Sequence, residues 1–129
     1  MLERLRELGL ELPEAPRPVA NYLPVAVARG LAFVAGQVAT EGGAPLHPGH
    51  LGAEVSVEQG REAARRCALQ ALAALRAELG GFDRLERILQ VTVFVSSAPG
   101  FTDQPKVADG ASDLLVEVLG EAGRHARAA

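Results

Sequence analysis

Tryptophan is absent, tyrosine and cysteine occur once each (Tyr22 and Cys67), and aromatic residues make up only 4% of the 129-residue chain. A core with so few rings must be aliphatic, and the 48% of AVILMFWYC residues supplies it mainly as Leu, Val and Ala. A lone cysteine excludes an internal disulfide and a cysteine-rich metal site, and makes a reducing, cytoplasmic setting the simplest expectation. Long apolar runs are also missing. The N-terminal MLERLRELGLELPE is broken by Glu and Arg and has no signal-peptide core, and no stretch approaches the roughly 20 apolar residues that span a bilayer. The 13 basic residues are outnumbered by 16 acidic ones, for a net charge of −3. They form no block of the kind that tracks phosphates, which argues against a nucleic-acid partner.

What is present suits one domain over residues 1–129, since two would each be too small for a good core. Leu2, Leu5 and Leu8 are helically spaced and Gly9 is a stop signal, so the chain opens on a short helix. Residues 13–18 contain three prolines and predict an extended connector, giving a helical and Pro-rich extension over 1–18. The runs 22–28 and 31–35 read as a hairpin turned at Arg29-Gly30, with Pro24 confining the first strand to an edge or bulge. Residues 41–52 read as a loop with, at most, a brief strand near 45–47.

The clearest helix begins at Ser56, where Ser56-Val57-Glu58-Gln59 forms a capping box. Its apolar positions recur at Val57, Ala64, Cys67/Ala68, Ala71/Leu72, Leu75 and Leu79, and Gly80-Gly81 ends it. Residues 87–96 predict a strand with Leu89, Val91, Val93 and Val95 on one face and Ile88, Gln90, Thr92 and Phe94 on the other. A second helix is expected from Gln104 or Pro105 to Leu119, with Pro105 in its first turn and Gly120 closing it. Residues 124–129 could begin a last strand. The sum is an α+β fold with two helices over one face of a mixed sheet. Little remains to cover the second face, so a homo-oligomer is expected.

Composition and spacing alone single out no catalytic centre. His47 and His50 are spaced for a metal but lack an evident third ligand beyond Glu41 or Glu54, and a solvated loop is the simpler reading. Cys67 lies on an apolar helix stripe and reads as a small buried hydrophobe. Gly36-Gln37 lacks the glycine pattern of a phosphate loop, and Ser96-Ser97 lacks a nucleophile-elbow context. Asp109, Asp113 and Glu117 share one helix face, read as solvated. Arg124–Arg127 reads as a charged tail, although Arg is the side chain best shaped to take a carboxylate bidentately.

Four stretches in order resemble the Rid/YjgF family, also labelled L-PSP endoribonuclease or translation initiation inhibitor. They are PVANY (18–22) with the strand and FVAGQ (33–37); SVEQGREAARRCALQAL (56–72); RILQVTVFVSSAPGFTDQPKVADGASDLLVEVLG (87–120); and GRHARAA (123–129). They cover about residues 16–129, and the GFTDQPKVADGASDLL segment and N-terminal extension are similar to a longer subgroup. The resemblance implies a chorismate-mutase-like homotrimer with clefts between subunits, and no cofactor or metal. It implies a hydrolase that converts 2-aminoacrylate-type enamines or imines to 2-keto acids and ammonia. Matched by position, Arg127 is the carboxylate-binding, catalytic arginine, Tyr22 lines the cleft, and the backbone of Ala35 and Gly36 approaches the ligand. Asp109 falls near a helix asparagine of the family. Three departures go with these matches: Ala35 stands for a serine, Ala129 for a common cysteine, and the family's last strand, which supplies a water-orienting glutamate, is not found in the sequence.

Overall fold

The computed structural model describes residues 1–15, 17 and 19–129. The expected connector over 13–18 therefore lies partly outside the described residues, at Pro16 and Pro18. In chain order the elements are α1 (Leu2–Glu7), β1 (Val25–Ala28), β2 (Leu31–Val34), β3 (Thr40–Glu41), β4 (Ala44–Pro45), α2 (Val57–Leu79), β5 (Gln90–Thr92) and α3 (Gln104–Leu119). A 3-10 turn (Gly120–Gly123) and β6 (Ala126–Ala128) follow.

Local sequence accounts for most of these boundaries. Ser56 Oγ accepts from the Gln59 amide at 3.2 Å, and Gln59 Oε1 accepts from the Ser56 amide at 3.0 Å. The reciprocal cap satisfies donors that a helix start leaves without partners. Gly80 ends α2 in the left-handed region at φ 71°, which only glycine adopts without steric cost. The β1–β2 hairpin turns on Arg29 and Gly30, both at positive φ (52° and 75°), the conformation that matches the twist of a two-residue hairpin.

The strands differ from the single mixed sheet expected. They form three two-stranded ladders: antiparallel β1–β2, antiparallel β3–β4 and parallel β5–β6. The β3–β4 hairpin at Thr40–Pro45 meets the brief strand expected near 45–47 only at Pro45, and turns on Gly42-Gly43. Two-residue strands are too short for side-chain alternation to announce them. In β5 only Gln90–Thr92 pair, within the longer strand expected over 87–96.

The core is aliphatic and centred on α2. Leu5 of α1, Ala64, Ala68, Leu69 and Leu72 of α2, and Ala111, Leu114, Leu115 and Val118 of α3 form its main cluster, with Phe82 below. On another side of α2, Ala74 and Leu75 bury Val25 of β1. The buried surface of α2 is thus wider than one stripe, because both α3 and the first hairpin pack on it.

Two glycines let α2 and α3 approach closely. A Cβ at Gly110 would run into the Arg61 backbone, 2.8 Å from its carbonyl carbon and closer still to the oxygen. A Cβ at Gly60 would sit 2.8 Å from Leu51 Cδ1 and 3.1 Å from Val107 Cγ1. Phe33 of β2 is 68% exposed and Phe94, two residues beyond β5, is 93% exposed, although large aromatic side chains are ordinarily well buried.

Candidate functional site

The carboxylate stripe of α3 is paired rather than merely solvated. Asp113 meets Arg61 of α2 at 3.7 Å, Glu117 meets Arg65 at 3.4 Å, and Asp109 meets Arg127 of β6 at 2.8 Å. Four-residue spacing puts the three carboxylates on one side of α3. The Asp109–Arg127 pair differs in kind, because its arginine comes from a strand at the far end of the chain.

Parallel pairing with β5 places Arg127 beside Val91, and strand alternation turns its side chain towards α3. Arg127 Nη1 donates to Asp109 Oδ1 at 2.8 Å and to Ser112 Oγ at 3.2 Å, and Nη2 donates to the Pro105 carbonyl at 3.3 Å. A guanidinium has five N–H donors. Three are engaged here, and Nε–H and the second Nη2–H have no partner among the described residues. Nε and Nη2 share one edge of the planar group, the edge suited to take both oxygens of a carboxylate. The Arg127 side chain is 25% exposed, so it is braced yet reachable.

Behind it, Ser112 Oγ lies 2.9 Å from His125 Nε2, and His125 Nδ1 lies 2.6 Å from the Gly123 carbonyl. Sequence reading gave no role to Ser112 or His125. The available signal was periodicity: Ser112 follows Asp109 by three on a helix, and His125 precedes Arg127 by two in the segment that leads into β6.

Of the other residues matched by resemblance, Asp109 is brought to Arg127. Tyr22 is 50% exposed and lies just before β1, while Ala35 and Gly36 follow β2. The Ala35 amide donates to the Pro24 carbonyl at 2.9 Å. No hydrogen bond or ion pair among the described residues joins Tyr22, Ala35 or Gly36 to Arg127. Gly36 is exposed, and a Cβ there would meet nothing within 4 Å.

The segment after Gly36 is pinned by Gln70, a residue that sequence reading passed over. Gln70 is 4% exposed. Its Oε1 accepts from the Thr40 amide at 2.9 Å and the Thr40 hydroxyl at 3.4 Å. Its Nε2 donates to the Val38 carbonyl at 2.9 Å and to Gln37 Oε1 at 3.2 Å. Nearby, burial pushes the Cys67 thiol pKa up, opposed by a hydrogen bond with the Ala39 backbone.

The remaining candidates do not converge. His47 pairs with Glu62 at 3.1 Å and His50 Nδ1 with Ser96 Oγ at 2.6 Å. Among the described residues, no three His, Cys, Asp or Glu side chains gather as metal ligands, and no helix is long and apolar enough to cross a membrane. A depression of about 400 Å³ runs along Arg61, Arg65, Asp113 and Glu117. It follows side chains already engaged with each other, so Arg127 with its two open donors is the better site despite sitting elsewhere.

A small α+β chain, with helices packed on one side of short strands and an arginine presented from a late strand against the second long helix, belongs to the chorismate-mutase-like class. Comparison with known proteins narrows this. Residues 2–129 match the model of the family described as "YjgF/chorismate_mutase-like, putative endoribonuclease", and the chain belongs to that family. It is 44% identical over 126 residues to Protein TCP17 of Trypanosoma cruzi, covering 97% of this chain and 79% of that protein. Among solved structures, Atu1372 of Agrobacterium tumefaciens, described as of unknown function, is 41% identical with a TM-score of 0.88. That match covers 98% of this chain and 77% of the other. A Shewanella oneidensis MR-1 protein described as a "putative endoribonuclease" is 37% identical with a TM-score of 0.95, covering 98% and 84%.

Proposed function

We propose that this chain binds a small carboxylate through Arg127 and hydrolyses 2-aminoacrylate-type enamines or imines to 2-keto acids and ammonia. The observation that carries the reading is the state of the Arg127 guanidinium, fixed on α3 by three hydrogen bonds while Nε–H and one Nη2–H have no partner among the described residues. In the reaction, the enamine takes a proton at its methylene carbon to give the imine. Water then adds to the imine carbon, and the carbinolamine expels ammonia as the carbonyl forms. Arg127 holds the carboxylate next to that carbon, and the backbone at Ala35-Gly36 lies along the other side of the substrate. Positioning of this kind accelerates by removing orientational freedom.

Within one chain no hydrogen bond or ion pair among the described residues links Tyr22, Ala35 or Gly36 to Arg127, and the family resemblance implies a cleft between subunits that would combine them. We accordingly propose a homotrimer acting in the cytoplasm. The exposed Phe33 and Phe94 support assembly, and light scattering after size exclusion tests it. A single-subunit mass at micromolar concentration would remove the composite cleft.

The enzymatic test is ammonia release from 2-aminoacrylate generated in situ. Losing a bidentate, charge-assisted contact costs about 2–3 kcal/mol, roughly 30- to 150-fold, so Arg127→Ala should reduce turnover by that much. No acceleration over buffer, with parent and Arg127→Ala alike, sinks the catalytic reading. A second reading is favoured by Ala35, which lacks the serine hydroxyl of the family motif: a non-catalytic trimer that holds a small carboxylate. Stabilisation by 2-keto acids that requires Arg127, without turnover, distinguishes it. An RNase activity, as the description of the Shewanella protein suggests for that protein, sits poorly with a net charge of −3. Salt-sensitive RNA binding by highly purified protein would revive it.

A further inference from the structure

The contacts behind Arg127 have a forced direction. A carbonyl can only accept, so His125 Nδ1, 2.6 Å from the Gly123 oxygen, carries the ring proton. In the neutral ring Nε2 is then an acceptor, and the Ser112 hydroxyl 2.9 Å away donates to it. That turns a lone pair of Ser112 Oγ towards Arg127 Nη1 at 3.2 Å, and arginine can only donate. The two groups able to act either way are thus oriented by the two that are not. The chain runs Arg127 to Ser112 to His125 to Gly123.

We propose that His125, acting through Ser112, is a positioning residue that orients the guanidinium of Arg127 for a carboxylate ligand. The inference rests on the reading of Arg127 as the carboxylate-binding residue. Three features support it. His125, just before β6, and Arg127, two residues on within it, both reach one hydroxyl on α3. The anchor is closely packed: Gly123 is buried, and a Cβ there would collide with the Leu115 carbonyl. The group touching Arg127 is also uncharged. Asp109 orients Arg127 too, but its negative charge opposes an incoming carboxylate, whereas the Ser112 hydroxyl fixes the same Nη1 without that opposition.

A merely structural His125 would tie β6 to the preceding turn and leave Arg127 indifferent. The test uses the full chain labelled with 15N and pyruvate as the probe. Long-range 15N–1H correlations at neutral pH should show His125 as the Nδ1–H tautomer; the Nε2–H tautomer overturns the relay whatever pyruvate does. In ligand-free protein the Arg127 Nε–H resonance should be sharp in the parent and in Ser112→Thr, and broadened in Ser112→Ala and His125→Ala. Each alanine variant should weaken pyruvate binding about tenfold, the scale of one hydrogen bond to a charged group. The double variant should be no weaker than either alone, and Ser112→Thr should stay near the parent. Unchanged pyruvate affinity in both alanine variants, alongside loss of binding in Arg127→Ala, also overturns the proposal. If Arg127→Ala itself leaves pyruvate binding intact, the carboxylate site is what fails, and the tautomer and the Arg127 resonance still decide the relay.

Discussion

Gln70→Leu should destabilise the protein by about 2–3 kcal/mol, although it puts an apolar side chain at a buried position of similar size. The Thr40 amide and the Val38 carbonyl both lose their partner on α2. Thr40 is half-buried, so its N–H recovers water poorly and costs about 1–3 kcal/mol. Val38 is exposed, and its carbonyl is resolvated at a smaller cost. The leucine returns about 1 kcal/mol as newly buried hydrocarbon. Against a total stability of about 5–15 kcal/mol, the net loss is readily measured. Urea unfolding followed by far-ultraviolet circular dichroism should show a lower midpoint at unchanged slope.

Gln70→Glu separates hydrogen bonding from shape. An ionised carboxylate cannot donate to Val38 or Gln37, and burial disfavours its charge. Its folded pKa is therefore raised above the ordinary value of about 4.3. A raised pKa contributes stability at low pH that disappears as pH rises through the folded value. The Glu variant should thus be weak at about pH 7 and regain stability towards about pH 4, relative to the parent at each pH. A Leu variant within about 0.5 kcal/mol of the parent, or a Glu variant with no relative recovery in acid, would refute the claim that Gln70 pins residues 37–40.

Other outcomes follow from the packing and the site. Gly110→Val should destabilise the protein by about 2 kcal/mol or more and lower its unfolding midpoint, because overpacking here meets backbone rather than a yielding side chain; an unchanged midpoint would mean the helices can separate freely. Gly36→Ala should leave stability within about 0.5 kcal/mol, since its Cβ points into open space, yet weaken binding of 2-keto acids in calorimetry if the backbone there meets the ligand. Asp109→Asn should tighten pyruvate binding by up to about fivefold at low salt, the scale of a half-exposed ion pair, with the gain shrinking as salt is added. Cys67 should resist thiol reagents until the protein unfolds. Because its folded pKa is raised, its contribution to stability should decline above about pH 8.5, a decline absent from Cys67→Ala.

The sequence made legible those parts of the fold that depend on near neighbours. The Ser56–Gln59 box, the Arg29-Gly30 turn, the stop at Gly80 and the limits of α3 are all set within four residues, and all appear as expected. Three-residue strands carry too little pattern to reveal a partner, so the parallel β5–β6 pairing and the separation into three ladders were hidden. Gln70 was passed over because a polar residue on a helix reads as solvent-facing, and its partners lie about thirty residues away. At the site, the approach of Asp109 to Arg127 was suggested by family resemblance alone. The Ser112–His125 link, across thirteen residues, requires α3 and β6 to be docked before it exists.

The notch at Gly110 also sets a datum for the site. Asp109 and Ser112, which hold Arg127, lie one residue before and two after the point where α3 rests on the Arg61 backbone. Sliding α3 by a turn would bring Lys106 or Leu114 onto that carbonyl, and neither fits. The coordinates of the arginine anchor are therefore indexed to the main chain of α2, not to any adjustable side chain. Retuning of this site by substitution will be tolerated at the groups around Arg127 and resisted at a glycine that touches neither Arg127 nor its ligand.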